Sequence, residues 1–218
     1  ISAEDIDING EGVYLPLQNL RHPHGLFQIE ADTDYKVCKK IRPKNIEELS
    51  AVLAIARPGA LDFLDNYHSY VSTGNFQSIH PFFDDILSLT GGIPLYQEQL
   101  MQMAVKVGFT LDEAEQIRRI VGKKKIKEMP IWREKIKKKI NKNGIPEEAG
   151  EVLWRVAEDS ANYSFNKSHS IAYSTLSAWT THLKFKYPQQ FFLSLLQMTR
   201  FEPCPQDEIG RASCRERG

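Results

Sequence analysis

Cysteine, net charge and long apolar runs are all scarce in this 218-residue sequence, and each scarcity closes off a class of protein. Cys38, Cys204 and Cys214 are scattered without metal-ligand spacing, so neither a disulfide framework nor a zinc cluster is indicated. No apolar stretch approaches the roughly 18 residues of a membrane span. The first twelve residues carry four acids, Glu4, Asp5, Asp7 and Glu11, and no base, the opposite of a signal peptide. A cytoplasmic setting without membrane contact is therefore expected. Strand-rich blocks and internal repeats are also missing, which leaves a mainly α fold class.

What is present is an apolar content of 41%, enough for a real core, and charge that is segregated by position. The 28 basic and 28 acidic residues cancel overall, yet from Arg118 to Lys142 twelve Lys or Arg face only two Glu. Breakers make residues 1–24 read as irregular, with Gly10, Gly12, Pro16 and Pro23. Helices are expected to begin near Gln28 and near Asn45, the second ending before Pro58. The stretch from Asn66 to Gly92 reads as loop-rich and as a boundary between sub-regions. From Tyr96 onward helix follows helix, with stops at Gly108, Gly122, Gly144 and Pro188.

Two segments carry a pattern suited to anions. Thr110-Leu111-Asp112-Glu113 has capping-box spacing, so a helix should start there and bury Leu111, Ala114, Ile117 and Val121. Arg118 and Arg119 leave that stripe on adjacent bearings, and Gly122 closes the helix. Lys123, Lys124 and Lys125 need no ligand, since cations complement a helix C-terminus, but that does not account for two consecutive arginines. The second segment runs from Tyr163 to Tyr173. If Ser168 or a neighbour caps a helix from about His169 to Lys186, its free N–H groups converge on the space that Asn166, Lys167 and His169 face. The plainer alternative is a solvated cap. Further along, Met129, Trp132, Ile136 and Ile140 form a buried stripe flanked by Lys135, Lys137, Lys138 and Lys139. That basic face either keeps the helix soluble or meets phosphate.

The order of several short motifs adds to this. Gly25-Leu26-Phe27-Gln28-Ile29-Glu30, Ala56-Arg57-Pro58-Gly59-Ala60-Leu61 and Leu95-Tyr96-Gln97-Glu98-Gln99-Leu100-Met101 come first. Arg118-Arg119-Ile120-Val121-Gly122-Lys123-Lys124, Phe165-Asn166-Lys167-Ser168-His169-Ser170-Ile171-Ala172-Tyr173 and Lys184-Phe185-Lys186-Tyr187-Pro188-Gln189-Gln190-Phe191-Phe192 follow. Over residues 20–200 the chain resembles the fingers domain of the C-family replicative DNA polymerases of bacteria, the DNA polymerase III α subunits. The resemblance implies a palm-to-fingers connection at 1–24, a first fingers sub-region at 25–92 and a helical nucleotide-binding sub-region at 93–207. It implies that Arg118, Arg119, Lys123, Lys124, Asn166, Lys167, His169 and Tyr173 bind a deoxynucleoside triphosphate. Lys125, Lys127, Lys135, Lys138 and Lys139 would lie along primer-template DNA. Further replisome subunits would bind through other domains of the intact enzyme.

The family's three palm aspartates hold two magnesium ions and precede the segment resembling Gly25 to Glu30, so the ligands of Mg2+ are expected outside this sequence and the fragment alone inactive. Asp5 and Asp7, and Asp62 after Arg57-Pro58-Gly59, mimic those aspartates at the wrong places in the order. Two rivals remain open: a non-catalytic helical module that binds nucleic acid, and a two-metal nuclease on Asp62, Asp65, Asp84 and Asp85. Residues 208–218, with Ile209 to Arg217 arginine-rich and nearly free of apolar side chains, are expected to be a non-native, adapter-derived tail.

Overall fold

Why the first core forms is clearest at α3 (Ile46–Ile55), where every residue from Leu49 to Ile55 is buried. A helix apolar on all sides must be surrounded. Asn45 caps it: Asn45 Oδ1 accepts from the Glu48 N–H at 2.9 Å, and Glu48 accepts in return from the Lys44 N–H. Around α3 pack α1 (Glu11–Gln18), α2 (Asp32–Ile41), Tyr67 of α4 (Leu64–Thr73) and the segment Ile93 to Tyr96. The computed structural model describes residues 2–122 and 129–198. Among them are eleven α-helices, and the sole β feature is an isolated parallel bridge between Tyr96 and Phe165.

The second core gathers Phe83 and Leu87 of the short α5 (Asp84–Leu87) and its preceding turn with α6 (Gln97–Val107), α7 (Leu111–Gly122), α8 (Met129–Asn143) and α9 (Glu147–Tyr163). Trp132, Ile136 and Ile140 are buried there as their spacing predicts, while Met129 lies outside the described side chains. α10 (Lys167–Lys186) then returns to the first core and packs on α3 and α1, and α11 (Pro188–Met198) follows it.

α10 buries a row of hydroxyls beside Ala178. Ser170, Ser174, Ser177 and Thr181 are all fully buried on one face. The Ser170 hydroxyl donates to the Ser50 carbonyl at 2.7 Å and that of Ser177 to the Phe27 carbonyl at 2.8 Å. Small side chains let the backbones approach, and each such bond contributes about 1 kcal/mol. Lys184, also buried, donates to the carbonyls of His22 and His24, and the Phe27 N–H donates to the Thr180 hydroxyl, so the Gly25 to Glu30 loop is fastened to α10 just before its start and at its middle.

Several expectations need correction. Residues 1–24 are not irregular throughout: α1 buries Val13, Tyr14 and Leu17, and Pro16 is tolerated within its last turn, where α1 stops at Gln18. No helix begins near Gln28, which has a positive φ of 61°; α2 starts at Asp32. The loop-rich stretch contains α4, because Tyr67 anchors it on the first core. In α7 the buried face is Ala114, Ile117 and Ile120, whereas Leu111 is 65% exposed. Leu111 is the first helical residue, ahead of the turn that faces the core. The stops at Gly108 and Gly144 both have positive φ, and Pro188 opens α11.

Candidate functional site

Two helices begin beside one another at the Tyr96–Phe165 bridge. The Gln97 N–H donates to the Phe165 carbonyl at 2.8 Å, and the Phe165 N–H to the Leu95 carbonyl at 3.1 Å. α6 starts at Gln97 and α10 at Lys167, so two positive helix ends converge. Asn166, rather than Ser168, is the cap of α10: its Oδ1 accepts from the His169 N–H at 2.8 Å, and the helix begins two residues earlier than the expected His169. The capping box at α7 forms as its spacing requires, with Thr110 N–H on Glu113 at 2.9 Å and Glu113 N–H on the Thr110 hydroxyl at 3.2 Å.

Gln97 joins the arginine pair to this point. It accepts from Arg118 Nη1 at 3.0 Å through Oε1 and donates to the Ser164 carbonyl at 3.5 Å through Nε2. The rest of the Arg118 guanidinium forks onto Glu115, with Nε and Nη2 each 2.6 Å from a carboxylate oxygen, and Arg119 Nε reaches the same carboxylate at 2.7 Å. Those hydrogen bonds, Arg118 first, hold the Glu115 carboxyl down at about 2 and push the Arg118 guanidinium up. Lys167 Nζ pairs with Glu47 at 3.0 Å. Glu98 takes the Asn166 side-chain amide on Oε1 and the Lys167 N–H on Oε2, both at 3.0 Å.

Rings line the approach. His169 stacks 3.9 Å from Tyr173 and 5.6 Å from Phe165, Tyr173 meets Phe27 at 5.2 Å, and the Arg57 guanidinium lies 3.9 Å over Phe165. Arg118, Arg119, Asn166, Lys167, His169 and Tyr173 are thus all placed at or near the start of α10 or at the end of α7. Lys123, Lys124, Lys125 and Lys127 lie outside the described residues. On α8, Lys135 stands 3.8 Å over Trp132, Lys138 is exposed, and Lys139 donates to the Gly108 carbonyl at 2.8 Å, closing the end of α6. Gln97 and Glu98 have no individual role in the sequence reading; the signal that could have found them is their place in the Leu95 to Met101 motif.

The acidic residues do not gather. Asp5 accepts from the Ser2 N–H and Asp7 from the Asn9 N–H; Asp65 pairs with Lys40, Asp84 accepts from Ser78 and Asp85 pairs with Lys106. Among the described residues no group of three or more His, Cys, Asp or Glu is placed to hold a metal ion, so the nuclease quartet is not assembled. No described helix is long and apolar enough to cross a membrane.

The described helices and their two cores agree with a mainly α class, and the sequence model of the bacterial DNA polymerase III alpha subunit finger domain matches residues 1–144. The chain belongs to that family. DNA polymerase III subunit alpha of Thermus aquaticus is 37% identical over 185 residues, covering 82% of this chain and 15% of that protein. The Aquifex aeolicus protein of the same name is 39% identical over 197 residues, 88% of this chain and 17% of its own length. For Neisseria meningitidis serogroup B the figures are 37% over 172 residues, 78% and 15%. The chain spans about one sixth of the length of these relatives.

Proposed function

We propose that this chain forms the fingers of a replicative DNA-directed DNA polymerase and holds the incoming deoxynucleoside triphosphate against primer-template DNA. The observation that carries the proposal is the junction at Gln97, which ties the arginine pair of α7 to the paired starts of α6 and α10. Arg118 and Arg119 supply planar, permanently charged forks for the β- and γ-phosphates. Lys167 adds a point charge, Asn166 and His169 hydrogen bonds to sugar or phosphate, and Tyr173 an apolar edge beside the nascent base pair. Lys123 and Lys124 extend the charge, and Lys125, Lys127, Lys135, Lys138 and Lys139 follow the DNA backbone. Neutralising the leaving pyrophosphate stabilises the charge that develops during in-line displacement.

Magnesium, which the family assignment implies for nucleotidyl transfer, does not fit the described carboxylates: no three His, Cys, Asp or Glu among the described residues are grouped to hold an ion, and Asp5, Asp7, Asp65 and Asp85 serve local turns or ion pairs. The role proposed for these residues is therefore binding and charge neutralisation, and the fragment alone is expected not to extend a primer.

Isothermal titration of the chain with each of the four deoxynucleoside triphosphates tests the proposal. Weak binding of similar strength for all four, competed by inorganic tripolyphosphate and not by a deoxynucleoside, is expected. DNA binding with no nucleotide binding would replace it with a non-catalytic nucleic-acid module.

A further inference from the structure

Four of the residues assigned to the triphosphate, Arg118, Arg119, Asn166 and Lys167, are already held by carboxylates of the chain itself. Glu115 holds both arginines, Glu47 holds the Lys167 ammonium, and Glu98 holds the Asn166 amide together with the Lys167 N–H. Glu98 is the central one. It lies in the first turn of α6 and against the start of α10, so both helix ends act on it, and its charge also raises the Arg118 pKa. Its neighbour Gln97 is the residue that accepts from Arg118. One carboxylate thus stands between the two cationic elements, with two oxygens engaged as two phosphate oxygens would be.

We infer that Glu98 is a positioning residue that occupies the place of a phosphate group in the nucleotide-free fingers, and that polyphosphate binds by displacing it, with Glu115 releasing the arginines in the same exchange. This rests on the assignment of the triphosphate site given above. An internal anion keeps the converging donors satisfied and the site assembled while it is empty, since unpaired polar groups at a partly buried junction are costly. It also sets a threshold for affinity: a ligand must offer more negative charge than one carboxylate, which a triphosphate does and a monophosphate barely does. Glu98 therefore favours ligands by phosphate number, independently of the base.

The probe is sodium tripolyphosphate, titrated calorimetrically into the chain and into Glu98→Gln, which keeps the shape and one acceptor but removes the charge. Tighter binding, about three- to tenfold, is expected for Glu98→Gln, the size of a nearby like charge removed from a partly screened site. The preference for tripolyphosphate over orthophosphate should narrow as well. Glu115→Gln should tighten binding in the same direction, and Glu4→Gln, which touches none of these groups, should leave it unchanged. A purely structural cap at 98 would instead lower the melting temperature and weaken binding. That result, or unchanged affinity in both Glu98→Gln and Glu115→Gln, overturns the inference. Arg118→Ala separates the two levels: if it weakens tripolyphosphate binding while the glutamine variants fail to tighten it, the site stands and the exchange falls. If Arg118→Ala has no effect, the site itself is misplaced and the inference falls with it.

Discussion

Replacing Arg118 and Arg119 in an intact polymerase carrying this sequence should give two different phenotypes, because the two arginines are embedded to different degrees. Among the described residues Arg118 makes three side-chain hydrogen bonds, two to Glu115 at 2.6 Å and one to Gln97 at 3.0 Å, and its side chain is 30% exposed; Arg119 makes one there at 2.7 Å and is 66% exposed. Partial exposure screens these pairs, so Arg118→Ala should cost about 1 kcal/mol of stability and Arg119→Ala little. The triphosphate term is larger, since each charge-assisted bond lost contributes roughly 1.5 to 3 kcal/mol, or about ten- to hundredfold in kcat/KM for nucleotide incorporation. Arg118→Lys should recover only part of this, because one ammonium cannot serve Glu115, Gln97 and a phosphate in a planar fork. Steady-state incorporation with varied nucleotide, alongside thermal melts and a DNA-binding isotherm, measures all three. If both alanine variants retain near-normal efficiency, or if they fail through loss of DNA binding, the arginines are surface charges and the assignment is wrong.

Gly92→Ala should destabilise the chain by about 2 to 4 kcal/mol in a denaturant titration, because Gly92 has φ +79° and a Cβ there would lie 2.4 Å from the Gln77 carbonyl oxygen. Alkaline stability should fall above about pH 10: burial raises the pKa of Tyr14, Tyr67 and Tyr96, so the unfolded chain loses protons there before the folded one does, and melts between pH 9 and 11 would show it. Lys184, whose pKa burial lowers, acts the other way, adding stability as pH rises towards 10.5, so Lys184→Met should make the alkaline decline start earlier. DNA binding by the chain should weaken with salt at a log–log slope near −4 to −5 if about five phosphates are neutralised, and a salt-independent affinity would remove the α8 lysines from the interface.

The parts legible in the sequence were those written in local chemistry. The capping box at Thr110 and Glu113, the Asn45 helix start and the α8 stripe at Trp132, Ile136 and Ile140 each depend on residues three or four apart, and each was met. α1 was hidden because Gly12 and Pro16 read as breakers, although Gly12 packs beside His182 and Pro16 sits in the closing turn. The buried face of α10 was hidden for the opposite reason: Ser170, Ser174, Ser177 and Thr181 look solvated, and only their burial, with Ser170 and Ser177 bonded to carbonyls of distant segments, shows them to be interior. At the candidate site the cations and the amide were visible as types. Their carboxylate partners were not, since Glu47 and Glu98 reach α10 from 120 and 69 residues away in sequence.

The return of α10 to the first core has a kinetic consequence. α6 to α9 contact one another as near neighbours in sequence, so their core closes with short loops, whereas α3 waits for a partner separated from it by the whole second core. On the ribosome, α3 would emerge with its apolar circumference incompletely covered until α10 is made more than a hundred residues later. Pulse-labelled hydrogen exchange during refolding should therefore find the amides of α6, α7 and α9 protected first and those of α3 and α10 last, and together.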